Sequence, residues 1–130
     1  MVDRPALSKG ELNVARILWT VGPATVRSVF EACPDNEPMD FSTVQTYLRR
    51  LEAKGHATSK LDGRVRVYSA RTKPKTVIRQ TVNDLVGRLF AGEAMPLVRH
   101  LIEEQDISTE DFAELQKLVK RIAKERKDQS

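Results

Sequence analysis

The chain has 130 residues, room for one ordinary domain or two very small ones. Its single cysteine, Cys33, excludes an intramolecular disulfide and suits a reducing compartment. Charged residues make up 31% and aromatics 5%, a balance of helical proteins that associate through aliphatic faces, and a pI near 9.4 favours a polyanionic partner.

The first ten residues carry no apolar core of a leader, and later apolar runs are short and broken by charges. No signal peptide, transmembrane helix or direct membrane binding is expected, which points to a soluble cytoplasmic protein. Ser8 and Glu11 form a capping box, with Ser at N-cap and Glu at N3. The helix they open carries Leu12, Ala15, Ile17, Leu18 and Trp19 as its apolar face, and Gly22-Pro23 stops it. Trp19 shares the stripe of Leu12 and Ala15, so it is expected in the core rather than as a stacking platform. Thr25 is the N-cap of a second helix, 26–32, buried through Val26, Val29 and Phe30. Residues 33–38 are rich in turn formers. Cys33 there has no basic neighbour to lower its pKa and no second cysteine to resolve it, which disfavours a redox role.

Residues 41–71 organise the rest. Val44, Tyr47, Leu48 and Leu51 recur at helical spacing, with Ser42, Thr43, Thr46, Arg49 and Arg50 on the opposite face. Asp40 or Ser42 caps this third helix, and Lys54-Gly55 ends it, with Gly55 able to take the left-handed conformation. The period then becomes two. Strands around residues 58–60 and 64–68 flank Asp62-Gly63, a dipeptide suited to a type I′ hairpin turn. The alternation puts Val65 and Val67 on one face and Arg64, Arg66 and Tyr68 on the other. The stretch holds seven basic and two acidic residues, a net of +5 where the whole chain is only +4. Three helices and a basic hairpin within about 65 residues is the order of a winged helix-turn-helix, and the concentrated charge is the footprint of a phosphate-binding surface.

Residues 71–75 are basic, polar and contain Pro74, which sets a boundary between a DNA-reading domain, 1–72, and a helical domain, 73–130. Helices are expected over 76–90, 95–104 and from a Ser108 cap onward, broken by Ala91-Gly92. Three helices of this size bury little surface alone, and neither disulfide nor metal is there to staple them. Association with a second copy solves this, through Val82, Leu85, Val86, Leu89, Leu97, Leu101, Phe112, Leu115, Leu118, Val119 and Ile122. A homodimer also matches the two-fold symmetry of a duplex operator. The fold class is therefore mainly α with a small β-hairpin wing: an N-terminal winged helix-turn-helix and a C-terminal helical dimerisation domain.

No catalytic or cofactor motif is present. His56 and His100 lack metal-ligand spacing, and no phosphate loop, nucleophile elbow or HExxH occurs, so neither enzyme activity, cofactor nor metal is expected. His56 follows the capping glycine and reads as a surface residue; His100 reads as structural.

The chain resembles the penicillinase-repressor family, the BlaI/MecI type of repressors with their CopY relatives, from Leu7 to about Ala123. The resemblance rests on Leu18-Trp19, on Ala24-Thr25-Val26, and on Ser42-Thr43-Val44-Gln45-Thr46 followed by Leu48, Arg50-Leu51 and Lys54-Gly55. Asp62-Gly63-Arg64 with Val67-Tyr68 adds to it. It implies a dimeric repressor of β-lactam resistance genes, with recognition-helix contacts on Ser42, Thr43, Thr46 and Arg50. It further implies an upstream sensor-protease and cleavage in the C-terminal domain. The family's scissile Asn-Phe pair maps to His100-Leu101 here, and the cysteine pair of the copper branch is absent.

The expected mechanism is steric, with the dimer covering a pseudo-palindrome that overlaps a promoter. Thr43, Gln45 and Thr46 are suited to meet base edges, since Gln pairs with adenine and Thr methyls meet thymine methyls. Arg49, Arg50, Lys60, Arg64 and Arg66 are expected mainly on phosphates, which sets affinity and register. The rival readings are a winged-helix protein-interaction module and a winged-helix regulator answering to a different small-molecule or stress signal.

Overall fold

A computed structural model describes residues 5–129; residues 1–4, read above as lacking a leader, and Ser130 lie outside them. The elements are α1 (Lys9–Val21), β1 (Ala24–Thr25), α2 (Val26–Glu31), α3 (Phe41–Ala53), β2 (Ala57–Asp62), β3 (Val65–Ala70), α4 (Pro74–Leu89), α5 (Ala94–Glu104) and α6 (Thr109–Asp128). The protein is a winged helix-turn-helix followed by helices. The contacts fall into two compact units, one running to Asp84 and one from Leu85 onward.

The helix ends follow their local chemistry. The Ser8 hydroxyl accepts from the Glu11 amide while the Glu11 carboxylate accepts from the Ser8 amide at 2.8 Å, closing the capping box. Thr25 accepts from the Ser28 amide at the start of α2. Asp40, not Ser42, is the N-cap of α3, and its side chain makes no capping hydrogen bond. Gly55 has φ +85°, its amide donates to Glu52 O, and the His56 amide donates to Leu51 O at 2.8 Å. That pair of bonds is a Schellman motif, which satisfies the last carbonyls of α3 and turns the chain into β2.

The core of the first unit is built by Val14, Ala15, Ile17 and Leu18 of α1, Val29 of α2, Val44, Leu48 and Leu51 of α3, and Ala24, Ala57 and Tyr68 of the sheet. Leu12 and Trp19, expected on the buried stripe of α1, are only half-buried, whereas Val14 is fully buried. The Trp19 indole instead lies at the edge of the core and donates to Thr72 O at 2.7 Å.

The sheet is antiparallel with order β1-β3-β2. Asp62 pairs with Val65, so the two-residue turn is Gly63-Arg64, one residue later than expected. Gly63 alone takes a positive φ, +67°, as the first central residue of a type II′ turn requires. β3 alternates as expected, and the face that meets the core is the one carrying Tyr68. Tyr68 is buried at 3% exposure, while Val65 is exposed and Val67 half-buried. Tyr68 stands where the hairpin crosses the helices, opposite Ser59 and beside Ala24, and its large ring fills space that a valine could not. Val65 lies beyond the reach of the helical layer, next to the turn.

His56 is buried, not a surface residue. Its Nδ1 faces the Thr72 hydroxyl at 2.9 Å and its Nε2 lies 3.4 Å from Pro5 O. The Schellman turn places His56 just after the left-handed glycine, a position whose side chain often packs back against the last turn of the helix.

In the second unit no described residue of α5 or α6 is buried. Leu89, Leu101, Phe112, Leu118 and Val119 are exposed, as is Val82 at the end of the first unit; Leu85, Val86, Leu97, Leu115 and Ile122 are half-buried. His100 and Leu101 lie within α5, both exposed. No described helix is long and apolar enough to cross a membrane.

Candidate nucleic-acid interface

Burial of Val44, Leu48 and Leu51 fixes the rotation of α3 and so determines which side chains face outward. Ser42, Thr46, Arg49 and Arg50 are exposed; Thr43 and Gln45 are half-buried at the edges of the apolar stripe. Ser42, Thr43, Thr46 and Arg50 line one shallow depression, together with Tyr47. Tyr47, expected on the apolar stripe, is half-buried and forms the floor under Arg50, whose guanidinium carbon lies 5.8 Å from the ring centroid. Gly10 of α1 makes room for this ring: a β-carbon there would collide with the Tyr47 phenol.

The Thr46 hydroxyl donates to Ser42 O at 3.0 Å. Its proton is therefore used inside the helix. What Thr46 presents outward is a methyl group and an acceptor oxygen, which suits a thymine methyl or a base amino group rather than a base acceptor.

Lys60, Arg64 and Arg66 are all exposed on the hairpin, but not on one face. Arg64 occupies the turn. Leu61 is paired with Arg66 and Lys60 with Val67, so Lys60 and Arg66 point to opposite sides of the sheet. Arg66 shares its side with the buried Tyr68, and it donates to the Ser59 hydroxyl at 3.0 Å.

Two features escaped sequence reasoning. Lys54, one of the seven basic residues counted above, is half-buried and turned into the fold: its ammonium lies 2.5 Å from the buried Glu11 carboxylate and donates to Ala6 O. Its charge is spent within the fold. Arg27 of α2, by contrast, is exposed beside the start of α3, with its guanidinium 5.3 Å from the Phe41 ring centroid, and Phe30 meets the same ring edge-on at 5.7 Å. Nothing in its spacing marks Arg27, because the contact runs between two helices. Among the described residues, no cluster of His, Cys, Asp and Glu is arranged to hold a metal ion.

A positive outward helix and a projecting basic hairpin on a winged-helix core are the elements of a duplex reader. The family model of the penicillinase repressor matches residues 7–121. The chain belongs to the penicillinase-repressor family. This family consists of DNA-binding transcriptional repressors, which are not enzymes. Across 124 residues the chain is 24% identical to the penicillinase repressor of Bacillus licheniformis, covering 95% of this chain and 97% of that one. It is 22% identical over 113 residues to the methicillin resistance regulatory protein MecI of Staphylococcus aureus (strain N315), covering 87% and 92% respectively. The solution structure of the DNA-binding domain of the repressor BlaI superposes with a TM-score of 0.50 at 28% identity, over 57% of this chain and 90% of that one. The penicillinase-repressor match thus covers the reader and most of the helical unit.

Proposed function

We propose that this repressor works as a homodimer on pseudo-palindromic operators of genes for β-lactam resistance, with α3 in the major groove and the hairpin on flanking phosphates. The observation that carries the DNA mode is the outward face of α3, with Ser42, Thr43, Gln45, Thr46, Arg49 and Arg50 standing beside a hairpin that projects Lys60 and Arg64. The dimer is supported by the second unit, whose helices bury no residue in a single chain while Leu89, Phe112 and Val119 stand exposed. A helical unit without a core of its own is stable only when another surface covers it. The β-lactam assignment comes from the relatives, a penicillinase repressor and a methicillin resistance regulator. An upstream sensor-protease is the partner this reading implies. Cleavage at His100-Leu101 would require a turn of α5 to unwind, since a protease takes an extended segment.

The test is selection of operators from a random duplex pool by the full chain, followed by titration at several salt concentrations. With roughly 6–10 phosphates contacted per dimer, affinity should fall with a log–log slope near −0.9 per contact. The selected sites should be palindromic, and should occur upstream of resistance genes in the source genome. A slope near zero overturns the duplex reading; non-palindromic sites overturn the dimer; palindromes elsewhere in the genome overturn the β-lactam assignment.

A further inference from the structure

Between the recognition helix and the wing runs a chain of two hydrogen bonds. The Ser59 hydroxyl of β2 donates to Glu52 Oε2 of α3 at 2.6 Å and accepts from Arg66 Nη1 of β3 at 3.0 Å. Three elements meet on one hydroxyl: the last turn of α3 and both strands of the hairpin. We infer that Ser59 is a positioning residue that sets the angle of the wing relative to the recognition helix, and that Arg66 serves this relay rather than a phosphate.

The physical case rests on what else holds the wing. Tyr68 and Ala57 anchor the root of the hairpin in the core, but from Lys60 to Val65 every residue is exposed. Two strands joined by a tight turn and lacking a hydrophobic face are marginal alone. Such a tip swings about its root unless something ties it down, and the relay is placed where the buried root gives way to the exposed tip. Arg66 lies two register steps tipward of the Ser59–Tyr68 pair and on the same side, so its guanidinium reaches back along the strand to the hydroxyl. Its position on the side of Tyr68, away from Lys60, is what makes this reach possible.

The chemistry is consistent at each atom. A serine hydroxyl has one proton and two lone pairs, so it can donate to the carboxylate and accept from the guanidinium at once. Both bonds involve a charged partner and so are of the stronger kind. The relay also fixes the direction of the Glu52 side chain in the last full turn of α3. With its carboxylate turned to Ser59 and the Arg66 cation next along, it is directed away from the groove face formed by Ser42, Thr46 and Arg49. A fixed wing delivers Arg64 at its tip to a defined place, and a contact whose ordering cost is already met before binding adds more to affinity than a mobile one.

This inference rests on the duplex-binding reading, and the test separates the two. The variants are Ser59→Ala, which removes the relay; Ser59→Thr, which keeps the hydroxyl on a residue that suits a strand; and Arg64→Ala, alone and combined with Ser59→Ala. Binding is measured to a random-sequence duplex over a salt series, and backbone hydrogen exchange is measured across the hairpin without DNA. Ser59→Ala should bind about five- to tenfold more weakly, the size of one net hydrogen bond, with Ser59→Thr close to the parent. Arg64→Ala should lower the salt slope by about one per contact in the parent, and by clearly less once Ser59 is Ala, because the tip is no longer held in place. Amides of the tip should exchange faster in Ser59→Ala, while those of α1 and α3 stay unchanged. Independent, multiplicative effects of Ser59→Ala and Arg64→Ala overturn the positioning role, as do unchanged tip amides. If the parent itself binds no duplex, the function proposed above fails, and the exchange measurement alone decides the relay.

Discussion

The Lys54 ammonium sits 2.5 Å from the Glu11 carboxylate and so joins the first turn of α1 to the C-terminal end of α3. The acid is 2% exposed and the lysine 27%. Breaking such a pair from one side leaves a charge that water cannot reach. Lys54→Met should therefore lower the stability of the reader by about 3 kcal/mol. Glu11→Leu combined with Lys54→Met should lower it by less than Lys54→Met alone, because no buried charge is left behind. Urea unfolding of the single and double variants checks the order.

The same carboxyl gives a pH dependence with a definite sign. Burial pushes the Glu11 pKa up, but hydrogen bonds from Lys54 and the Ser8 amide, with the Lys54 charge, more than reverse this, and the net is below the ordinary 4.5. A pKa lowered by folding stabilises the native state above the unfolded value, and that stability is lost as pH falls through the folded value. The wild-type chain should thus lose stability as the pH drops below about 4.5, and Glu11→Gln should show a shallower acid limb. Equal slopes for the two would mean that the carboxylate contributes nothing through ionisation.

Much of the fold was legible because its signals are local. The capping box at Ser8 and Glu11, the Thr25 and Ser108 caps and the left-handed Gly55 each depend on residues within a few positions, and each is present. The misreadings involve distance or a choice between faces. Glu11 satisfies its capping box and is also buried, which only its partner 43 residues away explains. His56 seemed a surface residue because its partner Thr72 lies beyond the whole hairpin, 16 residues on. In β3 the alternation was correct, but with valines on one face and a tyrosine on the other, period two alone does not say which face meets the helices. The outward face of α3 was read correctly in outline, since burying Val44, Leu48 and Leu51 leaves little freedom for the rest.

Dimer formation has its own test. Leu115 is half-buried on α6, with Val119 one turn on and exposed. In a dimer whose apolar seam includes both, Leu115→Asp places an unpaired carboxylate in the interface at a cost of several kcal/mol, on the order of 3. Sedimentation should give a dimer for the parent chain and a monomer for the variant. A parent that is monomeric at about tens of micromolar, ample for a stable dimer, rules the seam out.

Thr46 and Lys60 separate base reading from backbone holding. The Thr46 proton is held by Ser42 O, so its outward methyl and oxygen are what remain for a base. On the selected operator, Thr46→Ala should lower affinity by about 1–3 kcal/mol per lost base contact, doubled across a symmetric site, with binding to random duplex nearly unchanged. If the methyl is the reading group, Thr46→Ser should cost as much as Thr46→Ala; if the oxygen accepts from a base amino group, Thr46→Ser should be mild. Lys60 stands exposed on the hairpin face away from Arg66, suited to a phosphate. Lys60→Ala should weaken operator and random duplex alike and reduce the salt slope by about one per contact. Titrations of the four proteins on both DNAs at two salt concentrations decide between these outcomes. Equal losses on both DNAs for Thr46→Ala would show that this face of α3 does not read bases, and the helix would then have to lie in the groove turned about its axis, with Arg49 rather than Thr46 nearest the base edges.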